Sequence, residues 1–429
     1  MKLINIIYVM VMVCILVSCQ KSKKIITSPQ DYEAYLQKKQ NPKAQQAIKE
    51  LQFWNKRITE DSTQILAMSR AAGVYSQLFK YTGDIQYLKK VEQVLVKSVA
   101  VAAIKKEGYL LALAQNFISQ HRFNEAKKAA EGAFILNPNT ASRLVLFDVS
   151  MELGEYDEAK KHLESVANQS DYNFLIRLAK WNDYKGNLDA TIRYMEKAKS
   201  IAESSKNQSL ILWSYTNIAD YYGHAGRIKD SYDHYLKALE IDPSNGYAKK
   251  GIAWIAYSYE ENPEEALRII DAVIETHQSP DYYLLKAEIA QFQKNKKSKY
   301  QNITAYNEAV NDQRYGDMYN AYNAMLLAEE YQEFDKALQI AEREIANRPT
   351  PETYDLKAYI LTLKGDHKQA LEIAQKYIID KTFEPEANYH IAQIYKANGM
   401  LDKVKAIKQE LLESSYELGP VLSKSIIEL

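Results

Sequence analysis

The chain has 429 residues, of which 46% are hydrophobic and 26% are charged, the composition of an ordinary folded protein. Its 55 basic residues balance 55 acidic residues, which argues against nucleic acid as the main partner because that binding draws on excess positive charge. Only 14 residues are glycine and no sustained alternating hydrophobic run occurs, so the sequence predicts an all-α protein without strands.

The N-terminus combines a lysine, Lys2, with an apolar run from Leu3 to Val17 that is too short to span a bilayer core of about 30 Å comfortably. The run ends in Leu16-Val17-Ser18-Cys19, which resembles the lipobox of bacterial lipoproteins. The resemblance implies that residues 1–18 are a lipoprotein signal peptide and that Cys19 is the acylated first residue of the mature protein. The alternative is an ordinary signal peptide with an incidental cysteine.

Residues 19–31 are predicted to form the lipid anchor and an irregular tether, since residues 20–31 lack a helical period and contain Pro29. Gln20 stands where an aspartate would resemble an inner-membrane retention signal. The expected location is therefore the outer membrane or the cell surface. Residues 32–68 are predicted to be an N-terminal helical cap in which Phe53 and Trp54 pack onto the first repeat.

A helical hairpin recurs along the rest of the chain, most clearly in YTNIADYYGHAGRIKDSYDHYLKALEIDPSN, residues 215–245. Its landmarks are a turn glycine (Gly226), small residues where helices approach (Ala219 and Ala238) and a proline that follows the second helix (Pro243). The pattern resembles the tetratricopeptide repeat (TPR). On that frame, repeats start at residues 69, 107, 140, 172, 212, 247, 281, 318, 351 and 385.

The resemblance implies a TPR superhelix, an α-solenoid of about ten helical hairpins over residues 69–418, with residues 419–429 as a C-terminal cap over the last helix. A solenoid repeat is expected to contact only its neighbours. In TPR proteins, helix A of each repeat lines a concave groove. The groove positions proposed to bind a partner are Trp213, Asp220, Tyr259, Tyr319, Tyr322, Glu329, Tyr359 and Tyr389.

Tyrosine suits such a groove because it offers rigid apolar area with a polar tip. The chain has 33 tyrosines, and the alternative for several is that they fill space between helices, as expected of Tyr222 and Tyr395. No phosphate-cradling motif, zinc-ligand spacing or nucleophile elbow occurs in the sequence, so we expect no enzyme activity, no cofactor and no metal.

These observations favour a lipid-anchored scaffold of the bacterial cell envelope whose concave groove binds another envelope protein or a peptide segment. The alternative is a carbohydrate-binding nutrient-uptake lipoprotein, because one such family also packs TPR-like helices. Members of that family carry long insertions at the sugar site, and the nearly uninterrupted array here leaves little room for them.

Overall fold

The computed structural model describes residues 25–37, 41–58 and 63–429. The predicted signal peptide (residues 1–18) and the proposed lipidation site, Cys19, lie outside these residues. Throughout the described ranges the secondary structure is helical, with no strand. No described helix has the length and apolar character that a membrane crossing requires.

Two N-terminal helices, α1 (Pro29–Leu36) and α2 (Pro42–Asn55), precede ten consecutive hairpins in the described chain, and a last helix, α23 (Ser415–Ile427), follows them. In chain order the hairpins are α3 (Ile65–Thr82) with α4 (Ile85–Val101); α5 (Lys106–Ser119) with α6 (Phe123–Leu136); α7 (Thr140–Glu152) with α8 (Tyr156–Glu164); α9 (Tyr172–Tyr184) with α10 (Leu188–Ser205); α11 (Gln208–His224) with α12 (Ile228–Ile241); α13 (Gly246–Trp254, continued by a π-helical turn, Ile255–Tyr259) with α14 (Pro263–Ile274); α15 (Asp281–Phe292) with α16 (Lys296–Val310); α17 (Asn320–Glu329) with α18 (Phe334–Asn347); α19 (Pro351–Lys364) with α20 (His367–Tyr377); and α21 (Pro385–Ala397) with α22 (Leu401–Glu413). A short 3-10 turn, Gln313–Tyr315, separates the seventh and eighth hairpins.

The turn inside every hairpin contains one residue in the left-handed conformation. Glycine, which adopts this conformation without steric cost, occupies six of the ten turns. The other four turns hold a polar residue at the same place. The ten residues are Gly83, His121, Gly154, Gly186, Gly226, Glu261, Lys294, Gln332, Gly365 and Gly399. The predicted landmark, a glycine or polar residue between the two helices, is therefore a conformational requirement of the repeat.

Small buried residues set the spacing between helices. Ala219 and Ala238, which the sequence places at close helix contacts, are fully buried in one hydrophobic cluster with Ala253 and Ala266. Alanine at such positions lets neighbouring helices approach closely. All ten hairpins begin within four residues of the predicted repeat starts.

Hairpins far apart in the sequence also touch. The main-chain nitrogen of Gln278 donates a hydrogen bond to the carbonyl oxygen of Thr82 over 2.6 Å, and Asn347 Nδ2 donates to the carbonyl oxygen of His121 over 2.9 Å. A Cβ atom on Gly83 would lie 1.9 Å from the carbonyl oxygen of Gln278, so this approach requires glycine. The expectation that each repeat contacts only its neighbours is wrong, because the loops between late hairpins pack against the turns of early ones.

The C-terminal helix identifies the inner side of the array. Helix α23 packs at once against α11, the π-helical turn after α13, α15 and α21, all of which belong to the first helices of hairpins. Faces of four first helices can meet one short helix only if they converge. We therefore call the first helix of each hairpin an inner helix and the second an outer helix.

The N-terminal segment lies on the opposite side. Helix α1 packs against the outer helices α12 and α14, and Tyr32 is buried there with its hydroxyl donating to Glu265 over 2.6 Å. This corrects the tether prediction for residues 25–31: Thr27 is 6% exposed, and helix α1 begins at Pro29.

The predicted N-terminal cap divides between two places. Residues 32–36 belong to α1 on the outer helices, whereas α2 packs against α3 at the start of the array. Leu51 of α2 is buried against α3, and Trp54 is partly buried in the same cluster. Phe53, predicted to pack with Trp54, is 48% exposed.

The predicted C-terminal cap forms the second part of α23. Gly419, which has a positive φ, and Pro420 after it break this helix into two segments. Leu418 and Ile426 are buried against Tyr389 and Leu411 of the last hairpin, as a lid over that hairpin requires. The helix begins earlier than the predicted boundary at residue 419, and its first turn reaches the inner helices in the middle of the array.

Candidate partner-binding surface on the inner helices

The C-terminal helix occupies one part of the inner side. The carbonyl oxygen of Tyr416 accepts hydrogen bonds from Trp254 Nε1 over 3.1 Å and from Ser258 Oγ over 2.6 Å. The ring of Tyr416 lies against Gly223, where a Cβ atom would be 2.6 Å from the ring. The C-terminal ends of α11 and α13 are thus covered by the protein's own last helix.

The N-terminal ends of the neighbouring inner helices remain accessible and carry tyrosines beside an ion pair. Tyr247 and Tyr322 are 53% and 52% exposed. Between them in the chain, Lys250 Nζ lies 2.7 Å from Asp281 Oδ2, with both side chains partly exposed. Burial would raise the pKa of the Asp281 carboxyl group, but the ammonium of Lys250 and hydrogen bonds hold it below its usual range. Asp281 therefore stays ionised at neutral pH.

Tyr319 and Tyr322 belong to a cluster of tyrosine rings at the start of α17. The ring centroids of Tyr319 and Tyr322 are 6.2 Å apart, and Tyr319 also meets Tyr306 and Tyr315 edge to face at 6.0 and 5.2 Å. Such contacts hold aromatic side chains in fixed orientations. Tyr322 therefore packs against Tyr319 on one side and keeps about half of its side chain accessible.

Asp220 is a predicted groove residue that the structure places in a hydrogen-bonded position. Its carboxylate accepts from the Tyr235 hydroxyl and, over 2.5 Å, from the hydroxyl of Tyr247 on the next inner helix. Burial raises the pKa of Asp220 while these phenols lower it in part. Asp220 therefore orients Tyr247, a residue that the sequence analysis did not select although it begins a predicted repeat.

Trp213 and Tyr259 are also accessible, at 39% and 37% exposure. The ring of Trp213 meets that of Tyr172 edge to face at 6.3 Å. Tyr259 ends the π-helical turn. With Tyr322, these two residues keep accessible area for a partner.

The other predicted aromatic anchors are packed inside the array, which corrects the expectation that they present a free surface. Tyr359 is 7% exposed, stacks on His390 at 3.8 Å between ring centroids, and donates to Glu329 over 3.3 Å. Tyr389 is 5% exposed beneath α23. Both residues lie on inner helices, but His390 stacks on Tyr359 and the C-terminal helix covers Tyr389.

The described residues include no group of three or more histidine, cysteine or acidic side chains arranged to hold a metal ion. The surface formed by Trp213, Tyr247, Tyr319 and Tyr322 with the Lys250–Asp281 pair is named the inner tyrosine surface below. Tyr259 lies at the opposite end of the α13 segment from Tyr247 and is not part of it. Rigid amphipathic rings beside a partly exposed ion pair suit the recognition of a polypeptide segment.

Comparisons with known proteins identify no close relative. No protein-family model matches the chain, and no curated protein matches it. Distant likenesses to solved structures include a tetratricopeptide repeat protein from Parabacteroides merdae, with 15% identity, 58% of this chain and 94% of that chain covered, and a TM-score of 0.39. Another is PilF of Pseudomonas aeruginosa, with 11% identity, 49% and 96% covered, and a TM-score of 0.37.

Yeast Tom70 is similar over more of the chain, with 14% identity, 93% of this chain and 96% of that chain covered, and a TM-score of 0.40. These likenesses are too distant to carry an inference about function. The TPR-type superhelix is evident from the chain's own ten consecutive hairpins, their regular spacing and their recurring left-handed turn residues.

Proposed function

We propose that the protein is a lipid-anchored scaffold of the bacterial cell envelope, without enzyme activity, that binds another protein on the inner tyrosine surface. The observation that carries the proposal is the set of accessible aromatic rings held in place by Asp220 and by ring contacts on successive inner helices. Binding energy concentrates in a few such anchors.

The anchoring part of the proposal rests on the Leu16–Cys19 sequence and on the buried position of Thr27. Thr27 is fixed on the outer side of the array, only eight residues after Cys19. Eight extended residues reach at most about 26 Å. A lipid on Cys19 would therefore hold the outer helices α12 and α14 close to the membrane, in the outer membrane or at the cell surface, and leave the inner side free for a protein.

Metabolic labelling with radioactive palmitate tests the anchor. Wild-type protein is expected to incorporate label and to fractionate with membranes, because two or three acyl chains form a lasting anchor. The Cys19→Ser protein should lack label. Label in the Cys19→Ser protein would contradict the lipid-anchor proposal without affecting the binding surface.

Alanine substitution tests the surface. Loss of one well-packed anchor, such as Tyr322, is expected to weaken binding of the physiological partner by about 2 kcal/mol, roughly thirtyfold. Lys237→Ala and Glu372→Ala are matched controls on exposed positions of outer helices. The proposal fails if the control changes abolish binding while Tyr322→Ala leaves it intact.

A further inference from the structure

The turn that joins α15 to α16 carries a lysine-rich run, KNKKSK, residues 294–299. Lys299 pairs with Glu330 of the next hairpin. Lys294, Lys296 and Lys297 are exposed and form no ion pair within the described part of the chain. These three residues are named the basic turn here. Three unpaired ammonium groups so close together form a surface that attracts anions.

The start of α16 adds to this positive charge. Its first turn contains no acidic residue, whereas the first turns of the outer helices on either side do, with Glu264 in α14 and Asp335 in α18. The N-terminus of a helix is partially positive, so acidic side chains stabilise it and lysines do not. The lysines of the basic turn are therefore not explained by the stability of α16 itself.

The basic turn lies beside the turn of the sixth hairpin. Gln293 Nε2, from the residue before Lys294, donates a hydrogen bond to Glu264 Oε1 over 3.0 Å. The rings of Tyr257 and Phe292, near the ends of the two inner helices, meet edge to face with their centroids 5.7 Å apart. The turns of the sixth and seventh hairpins therefore lie side by side on one edge of the array.

The N-terminal segment is fixed at the same edge. Glu260, in the turn of the sixth hairpin, accepts hydrogen bonds from the main-chain nitrogens of Ile26 and Thr27 over 2.7 and 2.6 Å. Ile25 is 78% exposed. The chain from Cys19 to Ile25 reaches at most about 20 Å when fully extended. A membrane that holds a lipid on Cys19 would therefore lie close to the edge that carries the basic turn.

We propose that the basic turn contacts the anionic headgroups of the membrane in which the protein is anchored, together with Lys21, Lys23 and Lys24 of the N-terminal segment. The inference rests on the lipid-anchor part of the proposed function. Each lysine held near an anionic surface adds to the affinity, and the attraction falls off within a Debye length, about 10 Å at 0.1 M salt.

This contact would leave the inner tyrosine surface accessible. Tyr247 lies at the start of the α13 segment, whereas the turn that holds the N-terminal segment follows the end of that segment. The segment is therefore a spacer between the membrane contact and Tyr247. A protein partner could reach Tyr247 while the basic turn stays on the headgroups.

Vesicle co-sedimentation of the polypeptide from Gln20 to Leu429, which carries no lipid, tests the proposal. All described residues belong to this polypeptide. The probes are vesicles of phosphatidylcholine alone and vesicles of phosphatidylcholine with phosphatidylglycerol, an anionic lipid. We expect binding to the phosphatidylglycerol vesicles only, and release as the salt concentration rises, because salt screens exposed charges. Absence of binding to these vesicles at low salt would overturn the proposal.

Substitution locates the contact. Replacing all three lysines of the basic turn with glutamine is expected to weaken binding to the phosphatidylglycerol vesicles about tenfold or more. The matched control removes three exposed charges from the first hairpin, Lys80→Gln, Lys90→Gln and Lys105→Gln, and should leave the affinity within about twofold. Unchanged binding by the basic-turn variant, or equal weakening by both variants, would overturn the proposal. Circular dichroism spectra confirm that the variants are folded.

The vesicle experiment and the palmitate experiment fail independently, because the polypeptide used with vesicles carries no lipid. Unlabelled wild-type protein whose lipid-free form binds phosphatidylglycerol vesicles would contradict the anchor and support the basic-turn contact. Labelled wild-type protein whose lipid-free form does not bind these vesicles would contradict the basic-turn contact alone.

Discussion

The carboxylate of Glu260 holds Thr27, a residue 233 positions earlier in the chain. One carboxylate oxygen accepts from the main-chain nitrogen of Thr27 over 2.6 Å, and the other accepts from its hydroxyl over 2.8 Å. The first oxygen also accepts from the main-chain nitrogen of Ile26 over 2.7 Å. Three hydrogen bonds to one buried charge therefore fix the place where the N-terminal segment meets the outer helices.

Glu260→Ala removes all three of these hydrogen bonds. We expect residues 26–36 to detach locally while the hairpins stay folded, because buried donors left without an acceptor cost about 1–3 kcal/mol each. Hydrogen exchange should show faster exchange in this segment and little change in α12. Glu240→Ala, at an exposed outer-helix position, is the control and should leave exchange unchanged. Undiminished protection of residues 26–36 in Glu260→Ala would contradict this account.

The left-handed turn residues predict stabilising substitutions. Lys294 has a φ of 57°, so Lys294→Gly should raise the free energy of unfolding by about 1 kcal/mol. Gly226 has a φ of 69° and open space around it, so a Cβ atom there would meet no neighbour. Gly226→Ala should therefore lower the free energy of unfolding through the strained backbone conformation alone. Urea unfolding measures both changes. A stabilising Gly226→Ala would show that turn conformation does not limit stability.

The C-terminal helix is predicted to shield the inner side at Trp254. Ending the chain after Ser414 removes the Tyr416 carbonyl that accepts from the indole. Acrylamide should then quench tryptophan fluorescence more strongly. In the Trp254→Phe variant, the same truncation should change the acrylamide quenching of tryptophan fluorescence very little. Equal quenching of the full-length and truncated proteins that contain Trp254 would contradict the observed packing of α23.

Glu288 predicts a pH effect on stability. Burial raises its pKa from an ordinary 4.5 to about 7, with a smaller contribution from Glu386, while the hydrogen bond from Tyr257 opposes the rise. The Trp254 ring and α23 pack nearby at Gly419. Because folding favours protonated Glu288, its stabilising contribution is complete below pH 4.5 and is lost as pH rises through 7.

Glu288→Gln should remove this contribution to the pH dependence, so the wild-type Tm should fall relative to that of the variant between pH 4.5 and 7. Thermal unfolding in matched buffers gives the difference. Glu372→Gln serves as the exposed control. Parallel Tm curves for the wild type and Glu288→Gln over this range would show that Glu288 is not held protonated.

The helical hairpins could be predicted from the sequence because the interactions that form each hairpin lie within a short segment of the chain. Residues 140, 172, 281, 351 and 385 begin predicted repeats, and an inner helix begins at each of them. The glycine or polar residue in each turn and the recurring small residues are enough to predict these helix starts, since each hairpin forms from adjacent segments of the chain.

Contacts between distant hairpins depend on the rotation that accumulates over several repeats, which no single motif encodes. The approach of Gln278 to Thr82 is therefore absent from the sequence pattern. The burial of Tyr389 could not be predicted for the same reason. Its position in the repeat indicates that it lies on an inner helix, but its burial depends on where α23 packs. Tyr247 begins a predicted repeat, but its bond to Asp220 becomes visible only when successive inner helices are placed side by side.

Site-specific photo-crosslinking in intact cells tests the central claim, that a protein partner binds the inner tyrosine surface. A photoreactive phenylalanine analogue is introduced singly at Tyr322, at Trp213 and, as outer-helix controls, at Lys237 and Glu372. We expect the two inner positions to crosslink to the same envelope protein and the two control positions not to crosslink to it. Crosslinks to a partner at Lys237 and Glu372, with none at Tyr322 and Trp213, would contradict the claim.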